Sequence, residues 1–139
     1  MIHFNYETPF VLENENAISV WLSKVIDSED KQEGEINYIF CDDAYLLKIN
    51  LEYLHHDTLT DIISFDYTLG NELNGDIFIS VERVKENAID FKVDFDEELR
   101  RVLVHGILHY CGYKDKTPSD ERLMRTKEEE KLAMFHVEQ

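Results

Sequence analysis

Two histidines four residues apart, His105 and His109, stand in the stretch His105-Gly106-Ile107-Leu108-His109-Tyr110-Cys111-Gly112-Tyr113-Lys114-Asp115. On a helix this spacing turns both rings out of one face, about 40° apart and one turn above the other. Imidazoles placed so can chelate one divalent cation through their ring nitrogens. A third ligand has to come from another direction. Gly112 supplies a break that turns the chain, and Asp115 follows three residues later with a carboxylate. Two histidines and one aspartate leave a coordination position open, the arrangement of a catalytic rather than a structural site. The plainer alternative is a hydrogen-bonded pair of helical histidines; the glycine and carboxylate at these offsets weigh toward the metal. Cys111 lies two positions from His109, on another face, and is expected in the core as a small apolar residue.

The elements that must position this set show as patterns along the chain. Ile2 to Tyr6 alternates apolar with polar, as a half-buried strand does. Ile18, Trp21, Leu22, Val25 and Ile26 recur at helical spacing within a helix predicted from Asn14 to Lys31. Gly34 punctuates, Ile36 to Cys41 reads as a strand, and Asp42 or Asp43 caps a helix carrying Leu46, Leu47, Leu51 and Tyr53. Strands are predicted over Ile62–Tyr67 and Asp76–Val81, joined by a turn-rich segment holding Gly70, Asn71, Asn74 and Gly75, hence a hairpin. Helices follow over Val84–Phe91 and from Asp94 or Asp96 to Cys111. The last helix opens at Thr117-Pro118, with threonine as cap and proline in the first turn. Interleaved strands and then helices leave an α/β or an α+β layer with about four strands.

Composition bounds the class. At 139 residues, 43% apolar and 32% charged, the chain is expected to form one domain over residues 1–139. Five glycines and two prolines exclude a collagen-like or low-complexity chain. No apolar run approaches the roughly 18 residues of a membrane span, and the first residues lack the pattern of a secretory signal. Two cysteines make no disulfide framework and suit a reducing cytoplasm. The net charge of −16 divides unevenly: residues 1–82 hold 3 Lys/Arg against 17 Asp/Glu, and residues 83–139 hold 11 against 13. Such a chain meets a polyanion only where the folded charges segregate.

The histidine stretch resembles the zincin pattern HExxHxxGxx(H/D), except that Gly106 stands where zincin peptidases carry their general base, a glutamate. It is closer to a second family. His105-Gly106-x-Leu108-His109-x-x-Gly112-Tyr113-x-Asp115 is similar to the HGxLHLxGYDH signature of the YbeY family of rRNA maturation factors and metal-dependent single-strand endoribonucleases. Tyr53…Asp57-x-x-Thr60-Asp61-Ile62-Ile63-Ser64-Phe65 is similar to that family's YRxxDxPTDVLSF segment, and Gly75-Asp76-Ile77-Phe78-Ile79-Ser80 to its LGDIxIS strand. Glu121-x-x-Met124-x-x-x-Glu128-Glu129 is similar to its acidic, Met-containing helix.

The resemblance implies an α+β fold with a four-stranded mixed sheet, packed helices and a zincin-like metal-bearing helix. It implies one Zn²⁺ per chain on His105, His109 and Asp115, in a zinc-dependent endoribonuclease of 16S rRNA maturation and ribosome quality control. The implied partners are single-stranded RNA or an rRNA precursor and ribosomal small-subunit proteins, in the cytoplasm, with neither membrane nor DNA. Two departures stand out. Asp115 occupies a position where the family commonly has His, with Lys114 and Lys116 beside it. Leu54 stands where the family has an Arg associated with RNA binding or cleavage, and a leucine cannot pair with a phosphate oxygen. His55 and His56 follow it and either substitute in part or are solvated loop residues. The general base is left open; Ser64 and His55 are the candidate catalytic residues, and Tyr67 and Tyr113 could stack bases. Two other readings stand beside the nuclease. A non-catalytic ribosome-assembly factor with structural zinc draws on Leu54 and the acidic charge. A zinc metallopeptidase draws on the ligand scaffold and lacks the glutamate.

Overall fold

A computed structural model describes residues 1–55 and 60–135. The elements run β1 (Ile2–Tyr6), α1 (Glu15–Ser28), β2 (Gln32–Cys41), α2 (Asp43–Leu54), β3 (Ile62–Asp66), β4 (Glu72–Ser80), α3 (Val81–Phe91), α4 (Phe95–Tyr110) and α5 (Pro118–Leu132). The sheet order is β1-β2-β4-β3, with β1 and β4 both parallel to β2 and β3 antiparallel to β4. This is a mixed four-stranded sheet in an α+β fold, and the β3–β4 pair is the predicted hairpin.

Alternation sorts the strand residues between two faces. Ile36, Tyr38, Phe40, Leu73, Ile77 and Ile79 are buried on one face, in a cluster with Trp21, Leu22, Val25 and Ile26 of α1 and Leu103, Ile107 and Leu108 of α4. The Tyr38 hydroxyl donates to the Leu103 carbonyl at 2.7 Å, so the one polar group of that ring is satisfied inside the core. The other face carries a smaller cluster of Cys41, Leu46, Ile49 and Ile63 beneath α2. In β3 the same alternation sends Ile63 to α2 and leaves Ser64 on the α4 side.

The caps are those the sequence offers. Asp42 accepts from the Tyr45 amide at 2.8 Å, and Thr117 accepts from the Asp120 amide at 3.1 Å with Pro118 behind it. Gly112, at φ +105°, ends α4 as expected.

Several boundaries differ from the sequence reading. Gly34 lies inside β2, where the register with β4 slips between Glu33 and Ile36. Asn74 and Gly75 lie inside β4 rather than in the turn. Val81 starts α3 instead of ending a strand, because the Ser80 hydroxyl caps the Arg83 amide at 3.2 Å. In α2, Leu51 and Tyr53 are exposed and the buried residues are Leu46, Ile49 and Asn50.

Candidate metal centre and its cleft

α4 presents His105 and His109 side by side, their rings 4.5 Å apart and nearly perpendicular. The turn after Gly112 folds back, its Tyr113 amide donating to the Leu108 carbonyl at 3.1 Å, and this carries Asp115 over the pair. Asp115 Oδ2 lies 3.3 Å from Nε2 of His105 and 3.3 Å from Nε2 of His109. One donor atom from each residue falls within 4.8 Å of the others, a group that could hold a metal ion.

Each imidazole is fixed through its other nitrogen. His109 Nδ1 donates to the Tyr113 carbonyl at 3.0 Å, and His105 Nδ1 donates to Glu128 Oε2 of α5 at 2.6 Å. Both bonds place the proton on Nδ1 and leave the Nε2 lone pair directed at the centre, the outer-shell pattern of metal-ligating histidines. The spacing fits as well. Ligands about 2.0–2.1 Å from a tetrahedral zinc lie about 3.3–3.4 Å from one another. The donor set suits a divalent ion of that size.

Glu128 is 2% exposed at the junction of α4 and α5. Burial works to push its carboxyl up, but the bond from His105 and the charges of Arg101, His105 and Arg125 outweigh it and hold the group below the usual carboxylate range. Arg101 Nη1 reaches Glu128 at 3.3 Å, and its Nε reaches Glu98 at 2.9 Å. Burial opposes the Arg101 charge, yet these two carboxylates keep its pKa above the ordinary arginine value. The ion pairs brace the histidine from behind.

A cavity of about 320 Å³ opens beside the donor atoms, lined by Thr60, Asp61, Ser64, Arg101, His105, His109 and Asp115 among others. Ser64 therefore faces the centre. Asp61 does too: burial raises its carboxyl above the ordinary range, although Arg101 and His105 pull the other way, and Asn87 donates to it at 3.2 Å. His55 is elsewhere; it ends α2 in a left-handed conformation at φ 56° and does not line this cavity. Leu54, beside it, is exposed. His56 and Asp57 lie outside the described residues. Tyr67 lines a groove against α2 with Tyr45, Tyr53, Phe65 and Phe78, and Tyr113 packs under Lys127 while its hydroxyl donates to Glu29 at 2.6 Å. Neither tyrosine lines the cleft. Cys111 is half-buried against the main core, as expected, and burial pushes its thiol up to about 11.

Sequence reasoning singled out His105, His109, Asp115 and Ser64, which the fold brings together around one cavity, but passed over Arg101 and gave Asp61 no chemical role. Their places depend on how α4, α5 and β3 pack. The only signal for Arg101 was a Glu98–Arg101 helical pair, which surface helices share.

An α+β sheet with a three-donor group at the end of a buried helix, each histidine oriented by an outer partner, defines the class: a protein with a candidate single-metal centre opening on a cleft. The comparisons narrow it. Residues 3–136 match the family model described as Endoribonuclease YbeY, and the chain belongs to the YbeY family. Proteins named Endoribonuclease YbeY are similar across the full length. That of Flavobacterium johnsoniae is 74% identical, covering 100% of both chains. That of Flavobacterium psychrophilum is 67% identical, over 100% of this chain and 99% of its own. The Christiangramia forsetii protein is 64% identical, over 99% and 96%. A solution structure from Thermotoga maritima superposes with a TM-score of 0.71 at 23% identity, covering 97% of this chain and 89% of that one, and supports the fold.

Proposed function

We propose that the chain is a zinc-dependent endoribonuclease specific for single-stranded RNA, acting in the cytoplasm on the 16S rRNA precursor, with small-subunit ribosomal proteins nearby. Its family makes it a hydrolase of RNA phosphodiester bonds. The observation that carries the metal is the meeting of Asp115 Oδ2 with both Nε2 atoms at 3.3 Å, each imidazole locked through Nδ1. No helix among the described residues is long and apolar enough to cross a membrane.

His105, His109 and Asp115 would hold the ion. A bound zinc supplies Lewis-acid chemistry, polarising a phosphoryl oxygen and making water a better nucleophile. The protein supplies the rest. Glu128 and the Tyr113 carbonyl orient the two rings, and Arg101 keeps Glu128 ionised and in place. Asp61, with its carboxyl raised and facing the same cavity, is suited to take a proton from the attacking water and return one to the leaving oxygen. Ser64 lines the same cavity and would hydrogen-bond the substrate strand.

Gly106 bears on the peptidase reading. A Cβ at that position would stand 2.9 Å from Ile77 Cδ1, so α4 meets the sheet where a zincin would carry its glutamate. A carboxylate there would point into the core, not the cleft. The assembly-factor reading is favoured by Leu54 and the acidic charge, and one experiment separates it from the nuclease. Purified protein and the His105→Ala and Asp115→Ala variants are analysed for metal, checked for folding by circular dichroism, and incubated with single- and double-stranded RNA. About one zinc per chain, lost in both folded variants together with single-strand cleavage, is the expected result. Zinc without cleavage would favour the assembly factor, and no stoichiometric metal would overturn the metal-dependent reading.

A further inference from the structure

A chain of net charge −16 that acts on a polyanion needs a local source of positive charge at its cleft. The cations lining it can be sorted by what they already hold. Arg101 is 17% exposed and engaged with Glu98 and Glu128, so it has no fork free for a substrate phosphate. α5 supplies two more guanidinium groups. Arg122 and Arg125, three residues apart on one helical face, both line a recess of about 500 Å³. Arg101, His105 and Asp115 line this recess and also the metal-side cavity, so the two spaces share a wall at the donor atoms. Arg125 lies 3.6 Å from Glu128 with its side chain 54% exposed. Arg122 is exposed and, among the described residues, its guanidinium has no carboxylate partner. Glu121 also borders the recess, the one carboxylate there that is neither a donor to the centre nor paired with arginine.

We propose that the recess between α5 and the metal centre is a phosphate subsite, in which Arg122, assisted by Arg125, binds a backbone phosphodiester of single-stranded RNA adjacent to the bond that is cut. An arginine fork matches two phosphate oxygens in one plane, which fixes the orientation of that phosphate as well as its place. Leu54 provides no cation, so in this chain the strand is held from the α5 side of the donors. Arg122 is here a positioning residue, and the assignment rests on the single-strand nuclease reading above.

The test is equilibrium binding of a short fluorescein-labelled single-stranded RNA to the metal-loaded protein, across about 50 to 200 mM salt, each titration being read before cleavage is detectable and cleavage being followed separately on longer incubation. Arg122→Ala is expected to weaken binding about fivefold to tenfold and to lower the slope of log Kd against log salt by about 0.7, the value of one single-strand phosphate contact. Arg122→Lys keeps the slope and loses part of the affinity, since its charge remains and its fork does not. Glu121→Gln tightens binding. Lys48→Ala, in the groove under α2, changes neither quantity. Wild-type slope and affinity in Arg122→Ala, with the wild type binding and cutting RNA, overturn this subsite alone. A wild type that binds no single-stranded RNA overturns the nuclease reading, and the subsite with it.

Discussion

Glu128 concentrates three tasks in one buried carboxylate: it orients His105, neutralises Arg101 and ties α5 to α4. Its replacement separates charge from shape. Glu128→Gln keeps a hydrogen-bond acceptor but removes the negative charge, so the Nδ1 bond weakens and His105 becomes a poorer ligand. Zinc affinity is expected to fall about tenfold to a hundredfold, the usual cost of losing an outer-shell partner, as read by competition with a chromophoric chelator. The same substitution has a pH signature in the metal-free protein. Because the folded Glu128 titrates below its ordinary value, its contribution is complete above the unfolded pKa of about 4.3 and is lost as pH falls through the lower folded one. Wild type should therefore exceed Glu128→Gln by about 1–3 kcal/mol in urea unfolding near neutrality, with the gap closing below about pH 4. A constant gap down to pH 3 would mean that the carboxylate acts through shape alone. The donors themselves were legible in the sequence because a histidine pair four apart is a local, helical fact. The Glu128–His105 bond spans 23 residues and two helices, and although the Thr117-Pro118 cap marked the last helix, only resemblance singled out Glu128 within it.

α4 is the element on which fold and site meet, and glycines decide how closely it packs. Asn74 and Gly75 read as turn residues, yet Gly75 pairs with Ile36 in the middle of the sheet. It is glycine because the Tyr110 ring of α4 crosses it: a Cβ there would stand 2.2 Å from the Tyr110 hydroxyl oxygen and 2.5 Å from the Phe65 carbonyl oxygen. That hydroxyl donates to the Phe65 carbonyl at 2.9 Å and so anchors the C-terminal end of α4 to β3. Local statistics could place the strands and caps but not this crossing, which is why hairpin and helix were legible and the boundary at Gly75 was not. Gly106 is a milder case, since its nearest neighbour is the movable end of Ile77. The expected order follows from what can give way. Gly75→Ala must displace backbone and is expected to cost about 2–3 kcal/mol or more, as overpacking does. Gly106→Ala gains about 1 kcal/mol of helix propensity against a contact that a rotamer change relieves, and comes out near neutral. Thermal unfolding of the two variants checks the order. Gly106→Ala proving the more destabilising would mean that α4 is seated on the sheet less tolerantly than these distances indicate.

At the scale of the molecule, the acidic balance is not spread evenly over the fold. Residues 1–82, which build β1 to β4, α1 and α2, carry a net −14, and residues 83–139 carry −2. The α5 arginines and Lys114 and Lys116 of the connecting turn stand on the less acidic side, by the donors. Approach of an RNA strand is then a contest between a short-range attraction at the cleft and a long-range repulsion from the rest of the protein. Salt separates the two, because the screening length is about 30 Å at 0.01 M and about 8 Å at 0.15 M. Glu13, Asp27 and Asp30 are exposed and line neither the cavity nor the recess beside the donors. Asp30→Asn is compatible with its left-handed backbone at φ 57°. The triple variant Glu13→Gln, Asp27→Asn, Asp30→Asn removes three negative charges without touching the site. Its association rate with single-stranded RNA, followed by stopped-flow fluorescence, is expected to rise about twofold to fivefold over wild type at 0.01 M salt and to match it at 0.15 M. The dissociation rate should be unchanged at both. An accelerated dissociation would place one of these carboxylates in contact with RNA, and equal association rates at low salt would mean that cations at the cleft already outweigh the field of the acidic half.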